Sequence, residues 1–315
     1  MIFSRREVIL ALAAARIAPA QKHGEVRRVT AWPVENGGEG APVLAKESLQ
    51  ESLSIQVDGR PARTVRLQGG ESELLLLIVL DLVGDLAFVD PARQALISEI
   101  RNLPGNAWPA VLRAQDGLRV ATDPGPDREP AISAIENTQI AGRAGLLETV
   151  EPAARLADAL LAKSPVRLAI LYVTDSNIYN YREDYTNPVI NPSDSRDLSR
   201  RFPEGLIREK TTKLAATLSE FDAPLFIVHL AFLRDRLNEA YQNGLQLMAE
   251  ATGGTLAMCR TPNDVPGVIR AAFGRILRHW AIDLEVPAGA SRNFAVQLAA
   301  GPLSFEHRVR FTRAR

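Results

Sequence analysis

Seven aliphatic residues in succession, 74–80, run straight into Asp81, and Asp85 follows four positions later across Gly84. An unbroken apolar run of that length reads as a central strand of a parallel sheet, because helices cover both of its faces. A second run, residues 166–173, apolar except for Arg167, also ends close to an acid, Asp175. Apolar residues elsewhere recur at helical spacing. Ala92, Leu96, Ile100 and Leu103 mark one stripe, with Pro91 suited to a first helical turn, and Leu146, Leu147, Val150, Ala154, Ala157 and Leu161 mark another. Helices are predicted again over 207–221, 237–251 and 265–280, with short strands at 225–230 and 255–258 and a C-terminal cap at Gly253-Gly254. Strands alternating with helices in this way predict a doubly wound, mainly parallel α/β sheet. Ligands of such sheets sit beyond the carboxyl ends of the strands. Asp81, Asp85 and Asp175 therefore belong to one functional edge.

Both ends of the chain read differently. Residues 29–34, 53–57 and 62–67 alternate as strands do, with Asp58-Gly59 as a hairpin turn between the last two. Residues 282–286, 294–298 and 309–311 form a β-like tail, and 110–113 with 118–121 form a pair about Asp116-Gly117. An isolated hairpin is marginal in water, so the two β-rich ends are expected to merge into one small accessory unit. The predicted division is a signal peptide over 1–20, an N-terminal β region over 21–70, the α/β domain over 71–281 and a C-terminal β region over 282–315.

Composition removes several function classes. Thirty-seven basic residues balance 37 acidic ones, so no net field exists to hold nucleic acid or an anionic membrane. A single cysteine, Cys259, excludes an intrachain disulfide and a Cys-based zinc site. The four histidines never stand at HxxxH spacing, and no GxSxG, HExxH or P-loop motif is present. At the N-terminus, Arg5-Arg6 precedes a short apolar stretch, 8–15, and Ala18-Pro19-Ala20 supplies small residues for cleavage. The stretch is too short to span a bilayer, which takes about 20 residues. An amphipathic first helix is the alternative, but 8–15 has no polar face. Export is expected, with a mature chain starting near Gln21, free of membrane spans and located outside the cytoplasm. Residues 4–9, SRREVI, resemble a twin-arginine signal.

The order of motifs carries a further resemblance. The apolar strand ending DLVGD, then GRAGLLETV (142–150), LAILYVTDSN (168–177) and ATGGTLAM (251–258), is similar to a von Willebrand factor type A domain. More narrowly it resembles a bacterial secreted family of such proteins, with a signal and short β region before the domain and a β tail after it. That resemblance implies a Rossmann-like fold, a role in protein recognition rather than catalysis, and a metal-ion-dependent adhesion site. Its first motif is DxSxS, its second a loop Thr, its third an Asp after a central strand. Asp81 matches the first Asp and Asp175 the third-motif Asp. Val83 stands at the first Ser, Asp85 at the second, and Ala144 at the Thr.

Two hydroxyl ligands have thus become side chains that cannot coordinate, and the third is a carboxylate. Three carboxylates with water can still hold Mg²⁺ or, with the added charge, Ca²⁺, and Arg143 can instead supply the compensating charge. The alternative is that Asp81 and Asp175 persist as caps of neighbouring helix N-termini. Cation affinity is accordingly expected to be weak or absent. On the same edge lies a long polar segment whose Tyr179, Tyr181 and Tyr185 are candidates for contacting a protein partner; packing of those tyrosines on the domain is the competing reading. A hydrolase using the acidic edge, or an envelope component with no ligand site, are the other functions the sequence allows.

Overall fold

The computed structural model describes residues 25–34, 46–181, 203–301 and 303–313. The N-terminal export segment and Tyr185 lie outside them. At the centre is a six-stranded sheet made of β5 (Leu74–Asp81), β6 (Ala107–Arg113), β7 (Arg119–Thr122), β8 (Arg167–Thr174), β9 (Leu225–His229) and β10 (Leu256–Met258). Its order is β10-β9-β8-β5-β6-β7, parallel throughout except for β7, which folds back on β6. Counted along the domain, that is 3-2-1-4-5-6, the doubly wound Rossmann-like order.

Every residue of β5 and β8 is buried. The strand period of two sends Leu75, Leu77 and Val79 to one layer and Leu74, Leu76, Ile78 and Leu80 to the other. Each such side chain, fully buried, stabilises the fold by roughly 1.5–3 kcal/mol. Helices α4 (Leu146–Lys163), α5 (Pro203–Leu218) and α6 (Arg236–Thr252) cover the first face; α2 (Leu86–Arg101), α3 (Glu129–Glu136) and α7 (Val265–Arg278) cover the second. Helix α2 starts upstream of the predicted position, and Pro91 lies inside it rather than in its first turn. The reason is local: the Asp85 side chain accepts from the Ala87 N–H and starts the helix there. Gly253, at φ 85°, closes α6 as its sequence suggested.

The ends of the chain interleave. One sheet runs β13 (Ser304–His307), β1 (Val26–Val34), β11 (Trp280–Glu285), β4 (Arg63–Gln68); the other runs β14 (Arg310–Thr312), β12 (Asn293–Ala300), β2 (Leu53–Val57), β3 (Arg60–Pro61). They enclose a third core containing Val29, Ile55, Val57, Ile282, Leu284, Phe294 and Phe311, with Leu49 of the short helix α1 (Lys46–Ser52). The accessory region is therefore a β-sandwich with strands from both termini in each sheet. Asp58 and Gly59, both at positive φ, do form a two-residue turn, but it joins β2 to the short β3. Strand β4 crosses to the opposite sheet and pairs with β11. Trp280 begins β11 instead of ending the preceding helix, and α1, α3 and β13 have no counterpart in the sequence reading.

Candidate functional site at the carboxyl edge of the central strands

Strands β5 and β8 are neighbours in the register Asp81↔Thr174. The chain leaves them towards opposite ends of the sheet, so a crevice opens at their carboxyl ends. Two of the three acids predicted for this edge are buried beneath it, each held by backbone N–H groups where the chain enters a helix. Asp81, 0% exposed, accepts from the Gly145 N–H at 2.8 Å and the Leu146 N–H at 3.3 Å, where α4 begins. Its Oδ2 also accepts from Thr174 Oγ1 at 3.1 Å and Ser176 Oγ at 3.0 Å. Gly145 lets the loop come this near: a Cβ there would lie 1.8 Å from the Ala114 carbonyl oxygen. Burial pushes the Asp81 carboxyl up to about 6 against the pull of these hydrogen bonds.

Asp175 does the same for α2. Its Oδ1 accepts from the Val83 N–H at 2.6 Å, and its Oδ2 accepts from Gly84 at 3.0 Å and Asp85 at 2.8 Å. Asp85 turns away to cap α2 through Ala87. A fourth acid, which the sequence reading passed over, completes the set: Asp235 caps α6 by accepting from the Leu237 and Asn238 N–H groups. An Asp three residues before an Asn-Glu helix start was the available signal. Asp81 and Asp235 thus meet N–H groups that helix geometry leaves unpaired, and Asp175 meets those of the loop that enters α2.

Beneath lies a sealed polar cluster. Tyr241 meets the hydroxyls of Ser176 at 3.3 Å and Tyr181 at 2.7 Å, and Thr149 meets Tyr172 at 3.1 Å. Burial holds the Tyr172 and Tyr241 hydroxyls well above their ordinary range, so both remain neutral. Asp81, Ser176 and His229 come together here, but the His229 Nε2 lies 3.0 Å from the Ser176 carbonyl oxygen rather than its hydroxyl. All three are buried, and burial lowers His229 to about 4. A buried base bonded to the backbone carbonyl and not to the hydroxyl does not make a nucleophilic pair.

Three sequence expectations need correction. Tyr181 is 8% exposed, with its ring edge-on to Tyr241 at 5.7 Å, so it supports the loop from below instead of meeting a partner. Arg143 is exposed and makes no ion pair with these acids among the described residues; backbone N–H groups offset their charge. The three carboxylates do not converge, because Asp85 turns to its own helix. Tyr179, by contrast, is 55% exposed with its hydroxyl on Asp235 at 3.1 Å.

The donor set does not fit a divalent ion. Mg²⁺ and Ca²⁺ need several free oxygens converging on one point, whereas both Asp81 oxygens and both Asp175 oxygens already accept from N–H or hydroxyl donors. Val83 and Ala144 supply none, and Ala144 is buried. Among the described residues no group of three or more His, Cys, Asp or Glu side chains is placed to hold a metal, and no helix is long and apolar enough to cross a membrane.

No family model matches this chain, and no curated protein does. Solved structures similar to it include a von Willebrand factor type A protein from Catenulispora acidiphila, at 13% identity over 95% of this chain and 76% of that one, with a TM-score of 0.46. An aerotolerance-related membrane protein from Bacteroides fragilis, carrying multiple mutations to serine, matches at 13% identity over 64% of this chain and 99% of that one, TM-score 0.40. The PilB minor pilin from Streptococcus sanguinis matches at 13% over 65% and 60% respectively, TM-score 0.44. The strand order and the helix layers define the class: a doubly wound, Rossmann-like α/β domain joined to a β-sandwich.

Proposed function

We propose that this chain is a metal-independent protein-binding module, used in adhesion or assembly, whose contact surface is the carboxyl edge of the central sheet. The observation that carries the reading is a contrast within that edge. Its acids are consumed by backbone N–H groups, while Leu86, the first residue of α2, and Tyr179, in the turn after β8, are 57% and 55% exposed. Tyr179 is already oriented by Asp235, and an aromatic ordered before contact loses little entropy on binding. The sealed Asp81–Ser176–His229 cluster weighs against the hydrolase reading. The narrower kinship is with the bacterial secreted type A-related family and a degenerate adhesion site, for which Asp81, Val83, Asp85, Ala144 and Asp175 are the support. Outside the cytoplasm is the proposed location, supported by Arg5-Arg6, the apolar stretch and Ala18-Pro19-Ala20.

The test is partner capture by the mature chain under chelation, comparing wild type with Tyr179→Ala and Leu86→Glu. Loss of the same captured protein from both variants, with chelator making no difference, is expected. Retention by both variants, or release by chelator, overturns the reading. For export, a product starting near Gln21 in the extracytoplasmic fraction is expected, and uncleaved chain in the cytosol overturns it.

A further inference from the structure

The β-sandwich and the α/β domain meet along a seam at the opposite, amino ends of the central strands. A cleft of about 500 Å³ opens there, between the sheet that holds β1, β11 and β4 and the last turn of α4. Small-molecule sites span roughly 300–1,000 Å³, so the size suits one small ligand. Val26 and Val65 wall the cleft from the sandwich, and Leu161 and Pro165 wall it from the α/β domain. Register explains the sandwich wall. Val26, Glu285 and Arg63 form one row across β1, β11 and β4, and Arg28, Asp283 and Arg66 form the next row on the same face. Val65 is the extra residue of a β-bulge between the Asp283–Arg66 and Leu284–Thr64 pairs. A bulge re-aims the side chain it carries, and Val65 is left 43% exposed beside Arg66 instead of joining the sandwich core.

Four cations, Arg27, Arg28, Arg66 and Lys163, and three carboxylates, Asp158, Asp222 and Asp283, line the cleft, which leaves one positive charge over. That surplus has a place. Arg27 donates to Asp222 at 2.7 Å, and Asp158 accepts from the Asp222 N–H at 3.2 Å. Arg28 forks onto both oxygens of Asp283, at 2.6 and 2.9 Å. Arg66 is therefore a second guanidinium on a carboxylate already occupied, 3.5 Å from it, with its side chain 44% exposed. Lys163, at the exposed end of α4, makes no ion pair among the described residues. The buried charges are matched, and two exposed cations stand beside apolar walls.

We propose that this cleft binds a small organic monoanion, a free carboxylate on a short aliphatic chain, with the chain against Val26, Val65 and Leu161 and the carboxylate on Arg66 and Lys163. One surplus cation matches one carboxylate, whereas a phosphate dianion would bring a second negative charge towards Asp158, Asp222 and Asp283. Pockets of this kind take most of their contact from apolar walls and their orientation from a few charged groups. Because the walls belong to both folding units, a bound ligand also braces the sandwich against α4.

The experiment is calorimetric titration of butanoate, hexanoate and octanoate into the full mature chain, with octan-1-ol and octyl phosphate as comparisons. A single saturable site is expected, binding about fourfold tighter for each methylene added. Arg66→Gln and Lys163→Gln should each weaken octanoate about tenfold, and Val65→Asp, which sets a negative charge in the apolar wall, should abolish binding. All three positions are exposed, so melting temperatures without ligand should match wild type and show that the variants fold. No saturable octanoate binding, octanoate affinity unchanged in either charge variant, octan-1-ol binding as tightly as octanoate, or octyl phosphate binding more tightly overturns the assignment.

Discussion

The two ends of the central sheet handle charge in opposite ways. At the carboxyl edge, where helices begin, the unpaired groups are N–H donors, and the buried residues that meet them are Asp81 and Asp175. At the amino edge, where helices finish, the unpaired groups are carbonyls, and the residues that meet them are arginines. Arg28 donates to Val166 O at 2.6 Å just after α4, Arg308 to the carbonyls that follow α5, and Arg167 to Leu277 O at 2.8 Å in the last turn of α7. Arg167, fully buried, also reaches Gly70, Ser72 and His279 carbonyls, so one guanidinium ties both crossings between sandwich and domain. The difference follows from helix polarity: orphan donors at one end, orphan acceptors at the other. An edge already neutralised by its own backbone has little left to offer a cation, and a seam built from guanidinium–carbonyl bonds holds two folding units as one body.

If the seam matters as much as this contrast implies, the largest effect comes from removing the sandwich. A chain of residues 71–281 lacks Arg27, Arg28 and Arg308 and should lose on the order of 5 kcal/mol of stability, measured by urea unfolding. Stability equal to the mature protein would show that the seam is dispensable. Next, Arg167→Met leaves the Gly70, Ser72, Leu277 and His279 carbonyls without their buried donor and should cost at least about 3 kcal/mol. A loss under about 1 kcal/mol would mean that water replaces it there.

The edge should respond more mildly. Asp81 has its folded value raised, so its contribution is present below about pH 4 and disappears as pH rises through about 6. Asp81→Asn should flatten the dependence of melting temperature on pH across that window while costing about 1–3 kcal/mol at neutral pH through its donor set. An unchanged slope would place the titration elsewhere. Smallest of all is the cation effect: millimolar Mg²⁺ or Ca²⁺ should move the melting temperature by less than about 1 °C, since a ligand binding the folded state well above its Kd would add several kcal/mol. A saturable rise of several degrees would show that the edge keeps an ion site.

Much of the fold is legible in the chain because it is written in periodicity. The runs at β5 and β8 announce buried parallel strands, the stripe from Leu146 announces α4, and Gly253 announces a helix end. The candidate site was legible only in its residue types. Asp81, Asp85 and Asp175 were visible as acids at strand ends, with metal ligation and helix capping both open. Tyr179 and Tyr181, two residues apart in one loop, read alike, yet one is exposed and the other lies on Tyr241, sixty positions away. Nothing local separates them, since burial depends on what the fold brings overhead.

The same division runs through the whole protein. Sequence alone determined the doubly wound core and the shared edge of the acids, because alternation, helical spacing and strand-end position act over a few residues. Tertiary structure decided that Arg27, Arg28, Arg167 and Arg308, unremarked in a balanced charge count, form the seam, and that the carboxylates are caps. Those outcomes depend on which backbone N–H and C=O groups are left unpaired, and where they point, once helices stand against the sheet.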